Sequence, residues 1–164
     1  MRIVIFFLKL IIGCLLILNL SCKKESANTK VIVQEVTFTK EGDLQIMKPD
    51  STLVVQLEIE IADNDYEIQT GLMYRKKMQE NRGMLFIFPN EEPRYFYMKN
   101  TEIALDLLYI DANYKIVSIM KNTQPFDENT LPASAPAKYV LEVNAGFTDK
   151  KKISKGDLVK FTKD

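Results

Sequence analysis

The stretch LVVQLEIEIA, residues 53–62, sets Leu53, Val55, Leu57, Ile59 and Ile61 against Val54, Gln56, Glu58 and Glu60. A hydrophobic period of two suits a strand with one buried and one wet face, and no helix can present it. The same reading extends along the chain: VIVQEVTF (31–38), LQIM (44–47), GMLFIF (83–88) closed by Pro89, RYFYM (94–98), LDLLYI (105–110), KIVSIM (115–120), KYVLEV (138–143) and DLVKFT (157–162) each read as a short strand. DANYK, between two of these, reads as a hairpin turn. One segment breaks the pattern. In ADNDYEIQTGLMYRKKM, Asp63 or Asn64 caps a helix of two or three turns, with Asp65 and Glu67 at its positive end and Gly71 near its finish. Residues 122–138 hold Pro125, Pro132 and Pro136 with little periodicity and read as a long loop. The expectation is a mainly β single domain, a β-sandwich or jelly-roll-like fold or a small barrel, with one short helix after the second or third strand.

The chain opens as a secretory signal: Arg2, then an apolar run from Ile3 to Leu20, then Ser21-Cys22 and an abrupt switch to KKESANTK. Residues 1–21 are expected to be removed and Cys22 to become a lipidated N-terminus, with 23–30 a polar tether and 31–164 the β-rich domain. Cys14 in IIGC is a competing processing site, but it would leave LLILNL as an apolar mature end. The address is then the bacterial cell envelope, lipid-anchored at the outer membrane and facing the periplasm, with the membrane as one partner.

Composition narrows the chemistry. There is no histidine, and with Cys14 removed and Cys22 acylated no free thiol remains. Such a chain can build no Cys/His zinc site, no thiol nucleophile and no histidine base. Without Arg2 and Lys9, 20 basic residues face 22 acidic ones, so no basic excess points to nucleic acid. No cofactor is expected, and no phosphate-cradling loop or serine elbow is present. Met73, Met84 and Met98 are soft Cu(I) ligands by type, but core packing is the favoured reading.

The polar residues inside apolar strands are the informative ones. Asp106 interrupts LDLLYI and has no polar face to occupy, so it must meet a cation, an amide or several N–H groups, with Arg75, Arg94, Lys99 and Asn100 as candidates. Lys99, Asn100 and Thr101 close an aromatic strand and can either bond the local backbone or wall a pocket. Glu142, between Leu141 and Val143, offers a second carboxyl. The expected pocket comprises Arg75, Tyr97, Met98, Lys99, Asn100, Thr101, Asp106 and Glu142.

The ordered set GLMYRKKM, GMLFIF, FYMKNTEIALDLLYID, KIVSI and YVLEVNAG resembles the domain-of-unknown-function family DUF 192 over residues 54–159. Gly71, Leu72, Met73, Arg75, Gly83, Met84, Phe86, Met98, Lys99, Asn100, Thr101, Asp106, Glu142, Ala145 and Gly146 match its pattern. The resemblance implies a compact, mainly β domain of sandwich or jelly-roll type, often secreted or lipid-anchored in bacteria, with no settled activity. Two departures stand out: Tyr97 replaces the usual tryptophan, and Tyr114 replaces the usual turn glycine, so a different turn type is expected there. The functional expectation is a binding or accessory lipoprotein taking an unknown small ligand or envelope component. The alternatives are a glycan hydrolase pairing Asp106 with Glu142, and a structural or protein-interaction module.

Overall fold

The computed structural model describes residues 36–164. The leader, Cys14, Cys22, the tether and the first five residues of the expected 31–38 strand lie outside them, and the remainder of that strand, 36–38, is not a strand. Nine strands and two short helices follow: β1 (Gly42–Met47), β2 (Leu53–Ala62), α1 (Asp65–Thr70), β3 (Arg82–Glu92), β4 (Tyr95–Phe96), β5 (Leu105–Ile110), β6 (Ile116–Met120), β7 (Leu131–Pro132), β8 (Ala137–Asn144), α2 (Phe147–Lys150) and β9 (Leu158–Lys163). Seven strands make one mixed sheet in the order β6-β5-β8-β3-β2-β1-β9, and β4 pairs with β7 in a small second sheet. All pairings are antiparallel except β2 with β3. That parallel step requires a crossover, and α1 with the loop after it supplies one.

The outer strands of the large sheet meet at a single bridge, Lys115 with Leu158, so the sheet curls without closing into a barrel. Its two faces carry separate cores. Leu44, Ile46, Leu57, Ile59, Leu85, Leu108, Ile110, Leu141, Val143 and Val159 fill one. Met84, Phe86, Leu105, Leu107, Tyr109 and Val140 fill the other, which is covered by Leu72, by Met98 and by Phe96 of the small sheet. The architecture is mainly β and sandwich-like.

Several local expectations shift. The α1 helix is six residues long, shorter than two turns; Asn64 caps it by accepting from Glu67 N, and Gly71 ends it. A second helix, α2, was not anticipated. β3 runs past Pro89 to Glu92, and the register against β8 slips between Ile87 and Glu92, which accommodates a residue lacking an N–H. β4 is confined to two residues, because Met98 N leaves the ladder to donate to Asp127 O. Tyr114 adopts φ 63° despite its side chain, so the expected change of turn conformation does not occur. Its ring stacks on Tyr139 with centroids 5.2 Å apart and meets Phe161 edgewise at 6.1 Å, contacts that offset the left-handed backbone.

Candidate functional site

β3, β5 and β8 lie side by side, and their residues alternate between the two cores. Asp106 pairs with Val143 and Leu107 with Glu142, so the two carboxyls leave the sheet on opposite faces. They cannot bracket one bond, and the paired-carboxylate hydrolase is excluded on that geometry.

Asp106 is fully buried. Oδ1 accepts from Asn122 N (2.9 Å) and Gly146 N (3.2 Å), while Oδ2 accepts from Thr148 N (3.0 Å) and Thr148 Oγ1 (2.7 Å). The need for partners is met by Asn122 N after β6 and by main-chain and hydroxyl donors at the start of α2, rather than by Arg75, Arg94 or the Lys99-Asn100-Thr101 corner. Asp106 is therefore a fold-forming carboxylate, on the face of the sheet opposite Glu142.

On the other face an open groove of about 360 Å³ runs between the end of α1 and β4. Phe86, Phe88, Phe96, Tyr95 and Tyr97 wall it, Gly71 and Leu72 form one side, and Thr101 and Glu142 supply polar atoms. Phe96 braces the walls, with its ring edge-on to Phe86 at 5.1 Å, Tyr109 at 6.0 Å and Phe88 at 6.4 Å. Gly71 is required here: at φ 48° an added Cβ would sit 3.0 Å from Phe86 Cζ and 4.0 Å from Glu142 Oε2. The ring tip and the carboxyl thus meet at one corner of the groove.

Glu142 is 5% exposed and flanked by its ladder partners Met84 and Leu107. No described residue hydrogen-bonds its carboxyl, and burial alone pushes its pKa up to about 8. At neutral pH the group is mostly a protonated acid. The adjacent Tyr109 hydroxyl is raised by burial and then by Glu142, and it donates to Leu131 O at 2.8 Å. Arg94 lies at the groove with its guanidinium 3.9 Å over the Phe88 ring, and three of its five N–H groups donate to Ala137 O, Glu92 and Asn90 O.

Of the eight expected pocket residues, the groove gathers three: Tyr97, Thr101 and Glu142. Met98 is buried beneath the corner, its sulfur accepting from Thr123 Oγ1 at 3.2 Å. Lys99 is exposed. Asn100, at φ 55°, ties the corner to the preceding loop: its carbonyl accepts from Tyr74 N (2.8 Å) and its amide donates to Tyr74 OH (2.9 Å). Arg75 lies beyond the Thr70–Met73 segment, in a buried pair with Glu60: Nη2 donates to Oε1 at 3.0 Å and Nη1 lies 2.9 Å from Oε2. Phe86, Phe88, Phe96, Tyr95, Gly71 and Arg94 were not anticipated in the pocket. The two-residue spacing of Phe86 and Phe88 does place them on one strand face, a signal that was available.

The fold and groove define a mainly β, sandwich-like domain with a ligand-sized aromatic cleft. The chain belongs to the DUF192 family, described as Uncharacterized ACR, COG1430, whose model matches residues 45–161. No curated protein matches it. It is similar to the crystal structure of a candidate transcription regulator from Sinorhizobium meliloti 1021, with 34% identity and TM-score 0.71 over 77% of this chain and 97% of that one. A protein of unknown function from Novosphingobium aromaticivorans DSM 12444 is also similar, with 30% identity and TM-score 0.68 over 72% of this chain and 83% of that one.

Proposed function

We propose that this protein is a lipoprotein of the bacterial cell envelope, anchored through Cys22 in the outer membrane and facing the periplasm, that binds a small ligand in the aromatic groove. The observation that carries the binding reading is Glu142: a carboxyl 5% exposed, without a hydrogen-bonding partner among the described residues, opening into a cleft walled by aromatic rings. Burying such a group unpaired costs free energy that folding alone has no use for, and perturbed carboxyls in clefts mark functional sites. A volume of about 360 Å³ suits a small molecule or the end of a larger one. Tyr95 and Tyr97, both exposed at the rim, offer flat surfaces to the part of a ligand that projects outward.

Thermal-shift screening of the mature domain against a small-molecule library tests the binding reading. Compounds that raise the melting temperature of the parent should lose that effect in Tyr97→Ala, whose side chain is too exposed to disturb the core. Equal shifts in parent and variant would overturn the assignment to this groove. The anchor is tested separately by fatty-acid labelling in cells: Cys22→Ser should abolish the label, and a labelled, membrane-bound Cys22→Ser protein would refute it.

A further inference from the structure

We infer that the groove takes an organic ammonium ion, a protonated amine on an apolar body, with its N–H groups seated on Glu142 and its body against Phe86, Phe96 and Tyr97. The inference rests on the binding reading above and names its ligand class. Among the polar side chains lining the groove Gln69, Thr70 and Thr101 are neutral, so Arg94 and Glu142 decide the sign of the charge. Arg94 is the cation at the cleft; three of its five N–H groups are spent on Ala137 O, Glu92 and Asn90 O, and its charge is paired with the Glu92 carboxylate. The Thr101 hydroxyl gives its hydrogen to Lys99 O at 3.3 Å and can offer a ligand only lone pairs. Glu142 is left as the charge-bearing group without an ionic partner among the described residues.

An anionic ligand would meet an Arg94 whose charge is already paired with Glu92 and, once Glu142 ionises, would face a like charge. An ammonium ion would find an acceptor within a ring of aromatic side chains, an environment that attracts cations through the ring quadrupoles. Among the groove-lining groups around Glu142 the cation is Arg94, and its charge is paired with Glu92. β3 contributes Met84 and Phe86, β5 contributes Leu107 and the Tyr109 phenol, the segment after α1 contributes Gly71 and Leu72, and the β4 region contributes Arg94, Tyr95 and Tyr97.

Binding an ammonium ion requires the ionised carboxylate, so the amine and a proton compete for one site. Burial pushes the Glu142 carboxyl up to about 8. Amine affinity should therefore strengthen about ninefold between pH 6 and pH 7 and about fivefold between pH 7 and pH 8, and level off above that. The probes are benzylamine and its neutral isostere benzyl alcohol, titrated calorimetrically into the mature domain at pH 6, 7 and 8. The expected result is that benzylamine binds with this slope and, at pH 8, at least tenfold more tightly than the alcohol, whose affinity stays flat. Glu142→Gln should remove both the slope and the preference. If the alcohol binds as well as the amine at pH 8, or if amine binding ignores pH, the ammonium assignment falls while the groove stands as a binding site. If neither probe binds at millimolar concentration, both readings fall.

Discussion

Asp106→Asn isolates the interaction on which the fold of the β5–α2 region depends. The carboxylate accepts four hydrogen bonds, two on each oxygen, from Asn122 N, Gly146 N, Thr148 N and Thr148 Oγ1. An asparagine of nearly the same volume keeps one acceptor oxygen and turns an NH₂ group toward the other two donors. Two of the original bonds are lost, and the NH₂ opposes either Asn122 N and Gly146 N or Thr148 N with the Thr148 hydroxyl turned to accept, so at least one main-chain N–H is left opposed in a buried site. Hydrogen bonds to a charged acceptor contribute about 1.5–3 kcal/mol each, and an orphaned donor costs about 1–3 kcal/mol. These terms are not additive and local relaxation recovers part of them, so a net loss of about 3–4 kcal/mol is expected. For a domain of this length that corresponds to a fall in melting temperature of roughly 12–16 °C.

Urea and thermal denaturation followed by far-UV circular dichroism measure the loss directly. Thr148→Val, which deletes only the hydroxyl donor at 2.7 Å, should cost about 1–2 kcal/mol and serves as the graded control. A loss below about 1 kcal/mol for Asp106→Asn would refute the reasoning, because it would mean that a buried carboxylate with four donors contributes no more than an ordinary surface contact.

Glu142→Gln should change the pH dependence of stability. The folded-state pKa of about 8 lies above the unfolded value, so the folded state holds a proton that the unfolded state releases, and parent stability falls as pH rises from about 4.5 to 8. The variant should lack this decline, on the order of 3 kcal/mol, in urea midpoints measured at pH 5 and pH 8.5; parallel curves would contradict it. Arg75→Met leaves the Glu60 carboxylate buried with only Thr39 N to serve it, and should cost about 3–5 kcal/mol by chemical denaturation, with partial recovery in the Glu60→Gln/Arg75→Met double variant. Asn100→Gly, which suits φ 55°, should lose less stability than Asn100→Ala, for which a loss of about 1–2 kcal/mol is expected from strain and the broken Tyr74 contact; the reverse order in thermal melts would show that the backbone is not what selects Asn100.

The strand inventory was legible because most of these segments bury one face or two, and a period of two or a short apolar run records that directly. The Asn64 cap and the Gly71 stop were legible for a similar reason: each is a local demand met by a specific residue type. What could not be read was who answers Asp106. Its donors lie 16, 40 and 42 residues away and are mostly main-chain N–H groups, which every residue except proline carries and which leave no mark in a sequence. The groove was half legible. Tyr97, Thr101 and Glu142 were expected, but β8 is buried on both faces, and such a strand loses the alternation that would have assigned Glu142 to one side and Asp106's neighbour Val143 to the other. Tyr114 shows the opposite limit, where stacking on Tyr139 outweighs the backbone preference that its residue type records.

Asp106 and Glu142 sit one register step apart on neighbouring strands and are almost equally hidden, at 0% and 5% exposure. Burial therefore does not distinguish them; the supply of donors does. Where four donors converge, the carboxylate closes a local structure and nothing remains for a ligand to do. Where none converge and the flanking residues are Met84, Leu107 and Phe86, the group holds its proton, and the bonds that a second molecule could make are left unmade. A leucine at position 142 would satisfy the same strand, the same neighbours and the same core without that cost. An acidic residue held there, beside a glycine whose absent Cβ leaves the space open, is the feature that the proposed ligand would account for.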